Sequence, residues 1–209
     1  MVRIDVISDV VCPWCFIGKR RLGLAIENSG LDVELHYHPY DINPSMPEEG
    51  RERLAHYKAK FGSLDKLAKM TEALEREAKS LKIDFNFGAI KRVPNTMDAH
   101  RLIRWSVNSG TQDALVEDLF KAYFEQALDI SDHEVLLDIA ERHGLNRVIV
   151  ADLLGSDRDK DAVSQQITQA GQMGVRGVPT YVFANKFAAT GAQSEDILAK
   201  AIHQAAALD

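Results

Sequence analysis

The sequence predicts an α/β fold in which a strand–helix–strand unit and a closing strand–strand–helix unit are separated by a long helical insertion. Three observations predict it. Val2 to Ser8 alternates apolar and polar residues as a strand does, the segment after it changes hydrophobic period from two to 3.6, and strand-like residues return only at Thr180 to Phe183.

Each element can be placed in turn. The first helix follows Ser8 and is ended by Gly30, after which Val33, Leu35 and Tyr37 alternate with Glu34, His36 and His38 as a second strand. A crossover of this kind favours parallel neighbours. Asn43-Pro44-Ser45-Met46-Pro47 breaks the pattern, with Asn43 read as terminating the strand. Leu64, Leu67, Thr71, Leu74, Ala78 and Leu81 then repeat at helical spacing. Pro94 is expected to open a helix with Ala99, Leu102 and Ile103 on one face, closed by Asn108-Ser109-Gly110. Thr111 is expected to cap the next, which bears Leu115, Leu119, Phe120 and Tyr123. Ser131 and Glu134 have capping-box spacing before Val135, Leu136 and Ile139, with Gly144 as the stop. Two further helical stretches run to about Gly155 and Gly174. Thr180 to Phe183, a turn at Asn185-Lys186 and Phe187 to Thr190 make two strands, and Ser194 caps a last helix through Ile197, Leu198, Ala201 and Ile202. With the helical block set aside a thioredoxin-like core remains, made of residues 1–45 and 175–209, and 46–174 form an inserted all-helical domain.

Composition narrows the function. At 209 residues the chain is too short for two large independent domains. A net charge of −6 with interspersed signs argues against nucleic acid, which requires a concentrated basic footprint. No apolar stretch reaches bilayer-spanning length, so no membrane partner is expected. The two cysteines, Cys12 and Cys15, cannot make a secreted disulfide framework, and charged residues interrupt any signal-like start, so a cytoplasmic address is expected. A structural zinc would need more ligands than this pair and His36 with His38 supply in finger-like spacing, and no metal is expected.

Cys12-Pro13-Trp14-Cys15 falls where a strand hands over to a helix. Cys12 is expected at the N-cap, where its sulfur can accept hydrogen bonds from unpaired backbone N–H groups and feel the positive end of the helix dipole, so that the thiolate is favoured. Pro13 suits the first helical position, where its missing N–H has no acceptor to lose. Cys15 lies in line with Gly18, Leu22, Ala25 and Ile26 on the apolar face and is expected to be sheltered. Cys12 would then attack an external disulfide and Cys15 resolve the mixed disulfide from within. Trp14 is expected to line the cleft. Two buried cysteines without chemistry are the bland alternative, against which the Pro and the helix start argue.

Gly174 to Thr180 holds the complementary loop, in which Pro179 opens a strand after a Gly-rich turn. A cis Val178–Pro179 bond would turn Val178 backbone groups toward the cysteines and offer an extended peptide or glutathione a strand to pair with, although trans is the default for an X–Pro bond. Val178 and Pro179 are therefore substrate-binding candidates, together with Pro13 and Trp14.

Asp9 to Gly18 around the cysteines, Asn95-Thr96 with Ala99-His100-Arg101-Leu102, Gly177-Val178-Pro179-Thr180 and Gly191-Ala192-Gln193 occur here in one order. In this the chain resembles the DsbA family, and more closely its FrnE-like subgroup, neighbour to the 2-hydroxychromene-2-carboxylate isomerases and kappa-type glutathione transferases. The resemblance covers nearly the whole chain. It implies a thioredoxin fold with an inserted helical domain, a cis Pro179, and disulfide exchange at Cys12 and Cys15 with disulfide-containing proteins or small thiols. The isomerase and transferase branches usually carry Ser in place of the first cysteine and activate bound glutathione. Retention of both cysteines favours the exchange reading, with no cofactor required and glutathione left open as redox partner or ligand. A homodimer is also left open. His100 and Arg101 lie near the start of a helix that faces the cleft in this family, and a polar helix face is the expectation for them. Asp9 is a candidate modulator of the cysteine pair.

Overall fold

A computed structural model describes residues 1–208. The central strand β1 (Val2–Ser8) is buried at six of its seven positions, as a strand covered on both faces must be. It pairs in parallel with β2 (Val33–Pro39), Val2 opposite Val33 and Ser8 opposite Pro39. Between them runs α1 (Pro13–Ser29), closed by Gly30 in the left-handed conformation. On its other side β1 pairs antiparallel with β5 (Thr180–Phe183), which pairs antiparallel with β6 (Phe187–Thr190), giving the order β2-β1-β5-β6. The reversal between the last two strands uses positive φ at Ala184 and Asn185, one residue earlier than the sequence placed it. Phe183 and Phe187 then stack at 5.3 Å. The last helix, α9 (Glu195–Ala206), starts on Ser194, whose hydroxyl accepts from the Ile197 N–H, and packs against α1.

The intervening chain carries α2 (Arg53–Phe61), α3 (Leu64–Lys79), α4 (Met97–Trp105), α5 (Gln112–Phe124), α6 (His133–Arg142), α7 (Arg147–Leu154) and α8 (Lys160–Gln172). The sequence pattern missed α2, whose cap is the carboxylate of Glu52, accepting from the N–H groups of Leu54 and Ala55. It also missed a two-residue ladder between β3 (Arg51–Glu52) and β4 (Arg92–Val93), which adds a small β element to the helical block. Two helix starts shift. Helix α4 begins at Met97 after Thr96 rather than at Pro94, and Asp132 rather than Ser131 caps α6, because its carboxylate reaches the Glu134 N–H while Ser131 bonds Asp129. Thr111 precedes α5 as expected, but its hydroxyl donates to the His143 carbonyl instead of capping.

One hydrophobic core runs from the sheet into these helices. Phe16 of α1 stacks on Phe120 at 5.1 Å and lies 6.1 Å from Phe85 and 6.2 Å from Phe124. Burying each such ring contributes about 1.5–3 kcal/mol, so the helix that carries the cysteines is fixed to the insertion one residue beyond Cys15.

Candidate active site at the start of the first helix

The chain leaves β1 at Ser8 and turns tightly into α1. The Cys12 N–H donates to the Asp9 carbonyl at 3.0 Å, and the Cys12 carbonyl accepts from the N–H groups of Cys15 and Phe16 as the helix begins. The buried Asp9 carboxylate accepts from the N–H groups of Val11 (3.4 Å) and Ile42 (2.9 Å), tying the cysteine loop to the segment after β2. Asp9 therefore shapes the turn, through bonds between elements that sequence reasoning could not see.

Cys12 is the N-cap and Pro13 the first helical residue, as expected. The sulfur, however, caps nothing: no backbone N–H of α1 donates to it. It lies instead 3.8 Å from the Val178 carbonyl, to which the thiol donates. The physical reason is competition, since the facing loop offers a carbonyl acceptor that the thiol can reach.

That loop carries a cis Val178–Pro179 bond. It is held by the Thr180 hydroxyl donating to the Gly177 carbonyl (2.7 Å) and by the Gly191 N–H donating to the Pro179 carbonyl (2.7 Å). Gly18 sets its distance from the helix. A Cβ there would overlap the Tyr181 hydroxyl and sit 2.8 Å from Pro179 Cγ, so only glycine lets α1 approach this closely.

The two sulfurs differ in exposure, but by less than the helical wheel suggests: Cys12 is 7% exposed and Cys15 2%. Neither is in a disulfide. Burial pushes the Cys15 thiol well up, and neighbouring Cys12 adds to this while the Ser8 hydroxyl and Asp9 backbone oppose it. Cys15 is thus a protonated thiol at neutral pH. Trp14 is 37% exposed and lines, with Cys12 and Pro13, an apolar cavity of about 170 Å³ whose far walls come from α2, α3, α5 and the Phe87 segment.

Three expectations are corrected. His100 and Arg101 form no polar helix face, since both are buried. His100 Nε2 is 3.1 Å from the Tyr40 carbonyl and 3.5 Å from an Asp9 carboxylate oxygen. The Arg101 guanidinium donates to Asp98 and to the carbonyls of Leu153, Ser156 and Arg158, so it closes the end of α7. Asn43 does not end β2, which stops at Pro39. Its Oδ1 accepts from Lys60 Nζ at 2.7 Å and lies 3.2 Å from His56 Nε2, joining that loop to α2.

Arg53 and Tyr57 were not foreseen as lining residues. The one signal is that Arg53, Tyr57 and Phe61 stand four apart and share a face of α2. Among the described residues no cluster of three or more His, Cys, Asp or Glu could hold a metal ion, and no helix is long and apolar enough to cross a membrane.

Comparison with known proteins bears on the family and the fold. The family model of the DSBA-like thioredoxin domain matches residues 3–203. The chain is 26% identical over 202 residues to an uncharacterized protein of Bacillus subtilis (strain 168), YwbO, with 96% of each covered. A probable DsbA oxidoreductase from Streptomyces coelicolor superposes with a TM-score of 0.88 at 25% identity, covering all of this chain and 92% of the other. A 2-hydroxychromene-2-carboxylate isomerase superposes with a TM-score of 0.75 at 20% identity, covering 99% of each, a likeness of fold.

Proposed function

This chain belongs to the DSBA-like thioredoxin-domain family, and on that premise we propose that it exchanges the Cys12/Cys15 dithiol with disulfides of proteins or small molecules. The observation that carries the reading is the seat of Cys12: at the head of α1, 3.8 Å from the Val178 carbonyl beside cis Pro179, with Cys15 sheltered behind it.

In the first step Cys12 Sγ bonds to one sulfur of the external disulfide, whose S–S bond breaks, and the departing thiolate takes up the proton that Cys12 gives up. In the second, Cys15 Sγ attacks Cys12 Sγ and releases the other substrate thiol, its own proton leaving with that group. The protein dithiol is oxidised by two electrons and the substrate reduced to two thiols, and the reverse sequence oxidises a substrate dithiol. Pro13 and Trp14 border the attacking sulfur, while Val178 and Pro179 offer backbone to an extended substrate. No cofactor is required, glutathione enters as redox partner or ligand, and a reducing cytoplasm suits a chain whose two cysteines are both in the motif.

Insulin reduction and trapping of the intermediate test the proposal together. Cys12→Ser is expected to abolish turnover, and Cys15→Ser to accumulate a mixed disulfide on Cys12. Undiminished turnover in Cys12→Ser would end the reading. A glutathione-dependent isomerase would instead turn over in Cys15→Ser, so the same variant separates the two activities.

A further inference from the structure

The cavity beside Cys12 has an unusual electrostatic character. Its walls are mainly apolar, among them Trp14, Leu74, Phe87 and Phe124, and they include two cations, Arg53 and Lys60, and no carboxylate. Lys60 Nζ is engaged by the Ile42 carbonyl and Asn43 Oδ1. Arg53 is different. It is only 8% exposed, and among the described residues its guanidinium has no ion pair or side-chain hydrogen bond, while its nitrogens still touch solvent. It lies over the rings of Tyr57 (5.4 Å) and Phe87 (5.5 Å).

Ring faces attract a guanidinium but take none of its N–H donors, so those donors stay open to solvent or to a ligand, and an enclosed cation without a counter-charge is costly. An arginine at this depth that turns its donors to a cavity fits a ligand bearing an acid group. Volume defines the rest of that ligand. An apolar cavity of about 150 Å³ holds benzene, so about 170 Å³ accommodates one six-membered ring. Burial pushes the Tyr57 phenol up to about 12, which keeps it an O–H donor in the same wall.

We infer that the substrate attacked at Cys12 is a low-molecular-mass disulfide with a single-ring aromatic group carrying a carboxylate, the ring seated in this cavity and the carboxylate on Arg53. The inference rests on the exchange reading above and names its substrate class. The slight exposure of Cys12 favours a slim molecule over a folded protein surface. As the Cys12–sulfur bond forms, the substrate S–S bond breaks and one thiolate leaves, taking up the proton that Cys12 gives up. Cys15 then displaces the second, so the protein's own dithiol supplies both electrons.

The test is the stoichiometric reaction of the reduced full chain with 5,5′-dithiobis(2-nitrobenzoate), which is acidic, and with 2,2′-dithiodipyridine, which is neutral. Arg53→Gln is expected to lower the ratio of the two rate constants by about tenfold or more, and Arg53→Lys to restore part of it. A ratio within twofold of the unsubstituted protein overturns the inference, as does a parallel fall with both probes, which marks a structural arginine. Failure of Cys12 to react with either probe would instead remove the exchange reading itself. The unsubstituted protein supplies a second readout that needs no variant to fold: benzoate is expected to protect Cys12 saturably from iodoacetamide while benzamide does not. Equal protection by the two, or none by either, counts against the carboxylate seat.

Discussion

The molecule buries an arginine in two places and treats them in opposite ways. At the junction of α4 and α7, Arg101 is fully enclosed and spends its donors on one carboxylate and three carbonyls at 2.5–2.8 Å, with the Trp105 ring 4.9 Å from its guanidinium carbon. On α2, Arg53 is nearly as deep, yet it has ring faces for company and a cavity in front. A saturated cation holds elements together, whereas an unsaturated one that lines a cavity with Cys12 is open to a partner from outside. Burial alone does not distinguish structural from functional charge, and the inventory of acceptors does.

The contrast breaks or sharpens under substitution, and the largest effect belongs to the saturated site. Arg101→Met leaves three carbonyls and Asp98 without their donor, and is expected to cost about 3–5 kcal/mol in urea unfolding. A cost under ~1 kcal/mol would reduce that site to an ordinary ion pair. Gly18→Ala asks whether the opposite wall of the cleft is set as rigidly. Overpacking against Pro179 and Tyr181 is expected to cost about 1–3 kcal/mol and to slow alkylation of Cys12, and unchanged stability would show that the loop yields freely.

The next expected effect extends the comparison from buried cations to buried acids. Burial pushes up the Cys15 thiol and the phenols of Tyr37, Tyr123 and Tyr181. An unfolded chain releases such protons from about pH 8.5 for thiols and about pH 10 for phenols, while the folded one retains them. Stability from these groups is therefore full below about pH 8.5 and declines above it. A midpoint of unfolding that stays level from pH 8 to 11 would contradict this. The smallest effect is expected at Arg53→Met, within about 1 kcal/mol of the unsubstituted protein, because replacing a buried unpaired charge by an apolar side chain removes a desolvation cost. If it costs as much as Arg101→Met, the two arginines are alike after all.

Sequence reasoning read the cleft around Cys12 far better than either arginine. The cysteine turn and the Val178–Pro179 loop are each set by a few adjacent residues whose spacing and backbone chemistry are local, so they could be placed before any contact was known. The cis state of that bond could not be read from spacing alone and came from the family resemblance. Arg53 was invisible because Arg51-Glu52-Arg53 looks like a solvated charge run, and its cavity is assembled from segments as far away as Val11 to Trp14 and Tyr123-Phe124. Arg101 misled for the same reason. Its three carbonyl acceptors lie more than fifty residues downstream, and without them a charged pair on a helix reads as exposed. The helix caps missed by a few residues because Ser, Thr and Asp compete for neighbouring N–H groups, as Asp132 does beside Ser131.

The stack of Phe16 on Phe120, adjoining Phe85 and Phe124, has a bearing on attempts to simplify this protein. Pruning the chain to its four strands and two flanking helices would bare an aromatic ring next to Cys15 and open that sulfur's shelter to solvent. The minimal thioredoxin-sized module drawn on a topology diagram is therefore not a working part that can be lifted out of this sequence.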